Sequence, residues 1–196
     1  LAMLAALERK VLWLSTYMIH HANHEVDRGD GLKVGGHQAS SASLATLMTA
    51  LYFHILRPED RVAVKPHASP VFHAIQYLLG NQTLDKLQNF RGFGGAQSYP
   101  SRTKDKDDVD FSTGSVGLGV AVTGFAAMIQ DYVYAKGWSQ EWPKGRMISL
   151  MGDASNVIGS ALKYLCHSFN STDAAQLKKV EDLLIAQKQN IKVFAD

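Results

Sequence analysis

Phe111-Ser-Thr-Gly-Ser-Val-Gly-Leu-Gly119 puts a glycine-rich turn directly ahead of an apolar stretch running to Ala135. The pattern predicts a helix from Val116 to Ala135. Gly117, Gly119 and Gly124 would let its backbone approach a neighbour closely, and plain close packing accounts for them equally well. Further on, Met147-Ile-Ser-Leu-Met151 reads as a buried strand that stops at Gly152-Asp153. A turn feeding a helix, followed by a strand that empties into Gly-Asp, is the grammar of a layered α/β domain, in which ligands collect at the carboxyl ends of the strands.

Upstream, Leu4, Leu7, Val11, Leu14 and Met18 recur at spacings of three and four, predicting an amphipathic helix over about 2–24. Asp27-Arg-Gly-Asp-Gly31 is turn chemistry. Leu44, Leu47, Met48, Leu51 and Ile55 mark a second helix, closed by Arg57-Pro58. Arg61-Val-Ala-Val64 is a strand candidate. Ser69-Pro70 is a helix entry, with a capping hydroxyl and proline in the first turn, and the helix runs through Phe72, Ile75 and Leu79 to Gly80. Leu84 to Phe90 form a brief further helix. Residues 91–113, with the run Lys104-Asp-Lys-Asp-Asp108, read as a long irregular loop of the kind that is usually functional or disordered. Beyond Ala154 the pattern changes: two helices are expected over 157–167 and 173–188, then a short strand from Ile191 to Phe194.

The chain has 196 residues, 46% of them hydrophobic and 19% charged, with a formal net charge of +2. That length suits one well-buried domain, perhaps with a small second piece. So small a charge supplies no basic field for nucleic acid or a membrane surface. The single cysteine, Cys166, excludes a disulfide-built scaffold. No uninterrupted apolar run approaches the ~18 residues of a membrane helix, and Leu1-Ala-Met-Leu-Ala-Ala-Leu is no secretory leader. A start at Leu1 suggests a trimmed or incomplete product.

Three segments carry chemistry together. Gly35-Gly36-His37-Gln-Ala-Ser40 and Lys65-Pro-His67-Ala-Ser-Pro70 each set a histidine beside turn residues just ahead of a helix. Helix starts present free N–H groups and positive potential, which suit a diphosphate. Phe111 to Gly119 repeats that device. Asp153, at a strand end, is placed to hold Mg²⁺ against phosphate oxygens, although capping a helix is the commoner fate of such an aspartate. His20 and His24 are spaced for a shared metal ion, but no third ligand is evident, and a solvated face is the better reading.

The ordered set Gly-His-Gln-Ala-Ser, His-Ala-Ser-Pro, Ser-Thr-Gly-Ser-Val-Gly-Leu-Gly and Gly-Asp-Ala resembles the N-terminal, diphosphate-binding domain of the transketolase-like thiamine-diphosphate enzymes, nearest to the homodimeric 2-oxo acid dehydrogenase E1 components such as pyruvate dehydrogenase E1. The resemblance covers about residues 7–154, within a domain 1–154. It implies an α/β thiamine-diphosphate-binding fold, layered α/β/α with a mostly parallel sheet. It also implies catalytic roles for His37, facing substrate, and for His67, over the diphosphate and reacting centre. Contacts to thiamine diphosphate are implied from His67, Gly114, Ser115, Val116, Gly152 and Asp153, with Asp153 ligating Mg²⁺. The implied substrate is a small 2-oxo acid or sugar phosphate, the implied assembly a homodimer, and the implied compartment cytoplasmic.

The likeness ends near Ala154. In that family an acidic stretch follows the Gly-Asp pair, and an asparagine a few tens of residues later completes the metal site. Here Ser155-Asn-Val-Ile158 follows, and neither Asn170 nor Asn190 lies in a strand-end context. The second domain of the family, with the glutamate that activates thiamine, has no counterpart. The chain alone is therefore expected to be inactive. The helical tail, 155–196, resembles instead a fragment of a spermidine/putrescine-binding protein of ABC transporters, through Val157 to Leu165, Asn170 to Asp173 and Ala186 to Phe194. A junction near Ala154 between two unrelated pieces is the resulting expectation. The alternatives are a solute-binding fragment or an α/β remnant that has lost its site.

Overall fold

Val62, Ala63 and Val64 are at most 3% exposed, because alternate residues of this strand face two different layers. In the computed structural model, which describes residues 1–26, 29, 33–114, 117–139, 141–151, 175, 178, 179 and 182, β1 spans Arg61–Ala63 and β2 spans Met147–Ser149. They pair in parallel, Arg61 with Met147, Val62 with Ile148 and Ala63 with Ser149. The ladder extends one step beyond, where Leu150 N donates to Ala63 O at 2.9 Å. Val62 and Val64, with Ile148 and Leu150, join the main apolar cluster. Ala63 and Ser149 point the other way, where a Cβ on Gly119 would lie 3.5 Å from Ala63 Cβ and 3.6 Å from Ser149 Oγ.

The main cluster is built by helices. α1 (Ala2–His20) contributes Val11 and Leu14, α2 is the short Gln38–Ala42, and α3 (Ala45–Ala50) contributes Met48. α4 (Ser69–Leu78) contributes Val71, Phe72 and Ile75. α1 and α3 are each prolonged by a five-residue π turn, His21–Glu25 and Leu51–Ile55. Such turns are rare and re-aim side chains that a regular helix would place elsewhere. α5 is Leu84–Gln88. α6 (Leu118–Ala135) lies against both strands, and Gly117 precedes it at φ 80, a left-handed value that favours glycine.

Most expected elements are present, with four corrections. The helix after the glycine-rich turn starts at Leu118, not Val116. Ser69 does not cap α4: it sits inside the helix, and its buried hydroxyl has no partner. Gly124 faces open space rather than a close neighbour. β2 is half-buried rather than buried, because it has a strand partner on one side alone among the described residues.

α6 is also the one helix among the described residues long and apolar enough to cross a membrane by length and composition, a property that counting uninterrupted apolar runs does not register. It is tied down by polar bonds. Gln130 exchanges hydrogen bonds with Gly145, Nε2 to O at 2.8 Å and N to Oε1 at 3.2 Å, and Lys144 pairs with Asp131.

The entry of both strands is fixed by one carboxylate. Asp60 accepts from Arg57 N at 2.9 Å, Arg146 N at 2.8 Å, Arg146 Nε at 3.0 Å and Arg146 Nη2 at 2.5 Å. The Arg146 guanidinium holds this carboxyl far below the usual carboxylate range, against the opposing effect of burial.

The chain divides into two compact units, Leu1–Leu150 and Met151–Asp196. In the second, Ala175, Lys178, Lys179 and Asp182 are helical, and Lys178 Nζ lies 3.3 Å from Asp182 Oδ1. The rest of the helices expected over 157–167 and 173–188, and the strand from Ile191, lie outside the described residues.

Candidate functional site

His37 and His67 come from separate motifs and line one cleft of about 490 Å³. Its other walls are Ile19 and Asn23 at the end of α1, Lys33 to Gly36, Ser40, Pro66, Pro70 and Arg91. Both imidazoles are exposed.

His37 is placed by the turn before it. The π turn closing α1 aims Asn23 at that turn, where Asn23 Oδ1 accepts from Gly35 N at 2.6 Å and Nδ2 donates to Gly36 O at 3.2 Å. From the other side, Arg91 Nη1 donates to Val34 O. Gly35 is packed so tightly that a Cβ there would sit 2.5 Å from Ile19 O and 3.0 Å from Asn23 Oδ1. Gly35→Ala is therefore expected to cost about 1–3 kcal/mol, the usual range for overpacking. Gly114→Ala, with nothing within 4 Å of its Cβ position, should stay within about 0.5 kcal/mol of the parent. Urea denaturation of the pair checks this; equal midpoints for the two variants would refute the clamp.

His67 lies in a single 3₁₀ turn, Pro66–Ala68, directly ahead of α4 and just beyond the carboxyl end of β1. The third motif reaches the same strand end. Thr113 Oγ1 donates to Val64 O at 2.5 Å, so the glycine-rich turn starts beside the residues that lead to His67. Gly114 itself is exposed and does not line the cleft. Ser115, Val116, Gly152 and Asp153 lie outside the described residues.

The loop over 91–113 is irregular, as expected, and Asp105, Asp107 and Asp110 anchor it. Asp105 accepts from Gln97 N at 2.9 Å and Ser101 N at 2.8 Å, and Asp110 accepts from Val62 N at 2.8 Å. Asp107 is buried against His73 of α4. His73, Asp105 and Asp107 are the one group of three His, Cys, Asp or Glu residues among those described that is close enough to share a metal ion. Their ligand atoms already have protein partners: His73 Nε2 bonds Gln97 O at 2.6 Å, Nδ1 bonds Asp107, and Gln82 Nε2 donates to Asp107 Oδ1 at 2.7 Å. This set serves packing rather than metal binding. His20 and His24 have ring centroids 4.9 Å apart, with Glu25 3.6 Å from His20.

Lys33, Asn23 and Arg91 went unread in the sequence. Arg91 lies more than 50 residues from the turn it braces, and nothing local distinguishes it.

Against known proteins, no family model matches the chain. It is similar to pyruvate dehydrogenase E1 components. That of Mycolicibacterium smegmatis is 33% identical over 138 residues, 65% of this chain and 14% of the relative. That of Cupriavidus necator is 31% identical over 150 residues, 72% of this chain and 16% of the relative. That of Escherichia coli K12 is 30% identical over 131 residues, 62% and 15%. The match thus spans 14 to 16% of the length of these relatives. None of these relatives is a polyamine-binding protein.

Proposed function

We propose that residues 7–154 are the diphosphate-binding part of a thiamine-diphosphate- and Mg²⁺-dependent enzyme of the pyruvate dehydrogenase E1 type. The observation that carries this reading is the cleft. Two histidines from separate motifs meet in it beside Lys33 and Arg91, with no carboxylate among the described lining residues, in a chain about a third identical to those relatives over 138 residues. A donor set of imidazoles, an ammonium and a guanidinium suits an anionic ligand.

In this reading the cofactor supplies the carbon nucleophile and electron sink. His67 orients and hydrogen-bonds the ligand at the reacting centre, while His37 faces the substrate carbonyl oxygen and can hold or deliver a proton there. Gly114, Ser115 and Val116 offer backbone N–H groups to the diphosphate. Gly152 would contact the cofactor, and Asp153 would ligate Mg²⁺. A small 2-oxo acid, or a sugar phosphate for a transketolase-like outcome, is the substrate class. A homodimer and a cytoplasmic setting go with the reading. Because the match covers 14% of the relative, retained binding rather than turnover is the expected behaviour of this chain alone.

Thermal denaturation tests it. At thiamine diphosphate about 100-fold over its dissociation constant, linkage gives ~2.7 kcal/mol of stabilisation, a rise of roughly 5–10 °C for a chain of this size. The shift should need Mg²⁺ and be lost in Asp153→Ala. No shift would leave a non-catalytic α/β remnant, and stabilisation by spermidine alone would favour a solute-binding fragment; either result overturns the proposal.

A further inference from the structure

We infer that Lys33 and Arg91 form an oxyanion-holding rim of the His37–His67 cleft, one that grips a carboxylate or phosphate group of the molecule facing those histidines. The inference rests on the cleft being a ligand site, and it adds which of its residues take the ligand's charge.

Arg91 has the features of a cation kept for a ligand. Among the described residues its guanidinium makes no ion pair; its contacts are to Val34 O, through Nη1, and to the Phe90 ring, 5.3 Å from the centroid. Nε is buried without a partner. Nη2 lies 3.2 Å from the Cβ position of Gly36, which itself sits at φ 90. Any side chain at Gly36 would crowd that amino group.

The backbone at Arg91 is left-handed, φ 61, the single non-glycine residue with positive φ among those described. Such a conformation is strained for a residue with a side chain and persists where surrounding bonds enforce it. Here Arg91 N donates to Ala96 O at 2.9 Å, and Ala96 N in turn to Lys86 O at 3.1 Å. Burial pushes the guanidinium pKa down, as expected for a charge with no acid beside it. Lys33, exposed on the same cleft, has no acidic partner among the described residues. Among the described residues, a half-buried arginine and an exposed lysine that pair with no acid are set apart for an external anion.

Gly114 of the glycine-rich motif does not line this cleft, and the rim is tested with small anions.

The test is NMR titration of the whole chain with inorganic phosphate and, separately, with pyruvate, both without thiamine diphosphate. The His37 and His67 Cε1–H resonances are followed after assignment from His37→Gln and His67→Gln. One or both anions should saturate and move both resonances, and the one that binds tells phosphate from carboxylate. Lys33→Gln and Arg91→Gln should each weaken that binding about tenfold, the scale of one charge-assisted hydrogen bond. Lys33 is exposed and has no hydrogen bond or ion pair among the described residues, so its variant keeps the test valid should Arg91→Gln fail to fold. Wild-type affinity in Lys33→Gln, or no response to either anion, overturns the rim. Neither result touches the thiamine reading, which stands or falls on the Mg²⁺-dependent thermal shift.

Discussion

Asp60→Ala should lower the free energy of unfolding at pH 7 by about 1–3 kcal/mol, the cost of taking a buried acceptor from the donors it satisfies. The Asp60 side chain is 0% exposed. Removing it leaves Arg57 N, Arg146 N and the Arg146 guanidinium without their acceptor, at the point where both strands begin. Arg61 N donates to Arg146 O at 2.9 Å, so releasing Arg146 loosens the first rung of the sheet. Gly145 adds to the cost, since a Cβ there would lie 1.9 Å from Glu59 O, leaving little room for that chain to shift. The pH dependence follows from the depressed carboxyl of Asp60. A group whose folded-state pKa is lowered stabilises fully above its unfolded value, about 3.9, and that contribution is lost as pH falls through the folded value. The difference between wild type and variant should therefore hold from pH 7 down to about 4 and shrink below it. Urea denaturation followed by circular dichroism measures both. A loss under ~1 kcal/mol at pH 7 would mean that the strand entry is held by something else.

Hydrophobic spacing was sufficient where one helix face decides burial. Val11, Leu14 and Met18 were read from their three–four rhythm, and all are buried. The same rhythm could not anticipate the π turn after His20, because a π turn changes the spacing itself. That matters for the site, as Asn23 lies on this turn and holds Gly35 and Gly36. His37 and His67 were legible because each stands beside glycine or proline just ahead of a helix. Lys33 and Arg91 were not, since exposure to a common cleft is a property of the fold. The run Lys104-Asp-Lys-Asp-Asp108 read as part of an irregular loop, with no sign that Asp105 and Asp107 bond inward. Composition says nothing of which way a loop carboxylate turns; only the nearby N–H groups decide it.

His73 is the other buried polar residue on which the fold near the site depends, and His73→Ala is expected to cost about 3–5 kcal/mol at pH 7. A carbonyl can only accept, so Nε2 must donate to Gln97 O, 2.6 Å away. Nδ1 then shares a single proton with Asp107: either an imidazolium faces a carboxylate, or a neutral ring faces a protonated acid. Both imidazole and carboxyl are 0% exposed, so in the variant Asp107 keeps Gln82 alone among its side-chain partners. Burial already pushes the Asp107 carboxyl up, with the His73 bond working against that shift. Without the ring the shift grows, and the sign is opposite to that at Asp60. A carboxyl whose folded pKa lies above its unfolded value destabilises the native state once pH exceeds that unfolded value, and the penalty lifts as pH falls and the group is protonated. The His73→Ala deficit should thus begin to recover at a higher pH than the Asp60→Ala deficit does. Replacing both partners, His73→Phe with Asp107→Leu, removes the buried charge altogether and should restore most of the lost stability. Urea midpoints at pH 7 and pH 4.5 for the single and double variants decide the matter. A single-variant deficit that is unchanged at pH 4.5, together with a double variant no better than the single, would show that the ring acts through volume rather than through its proton.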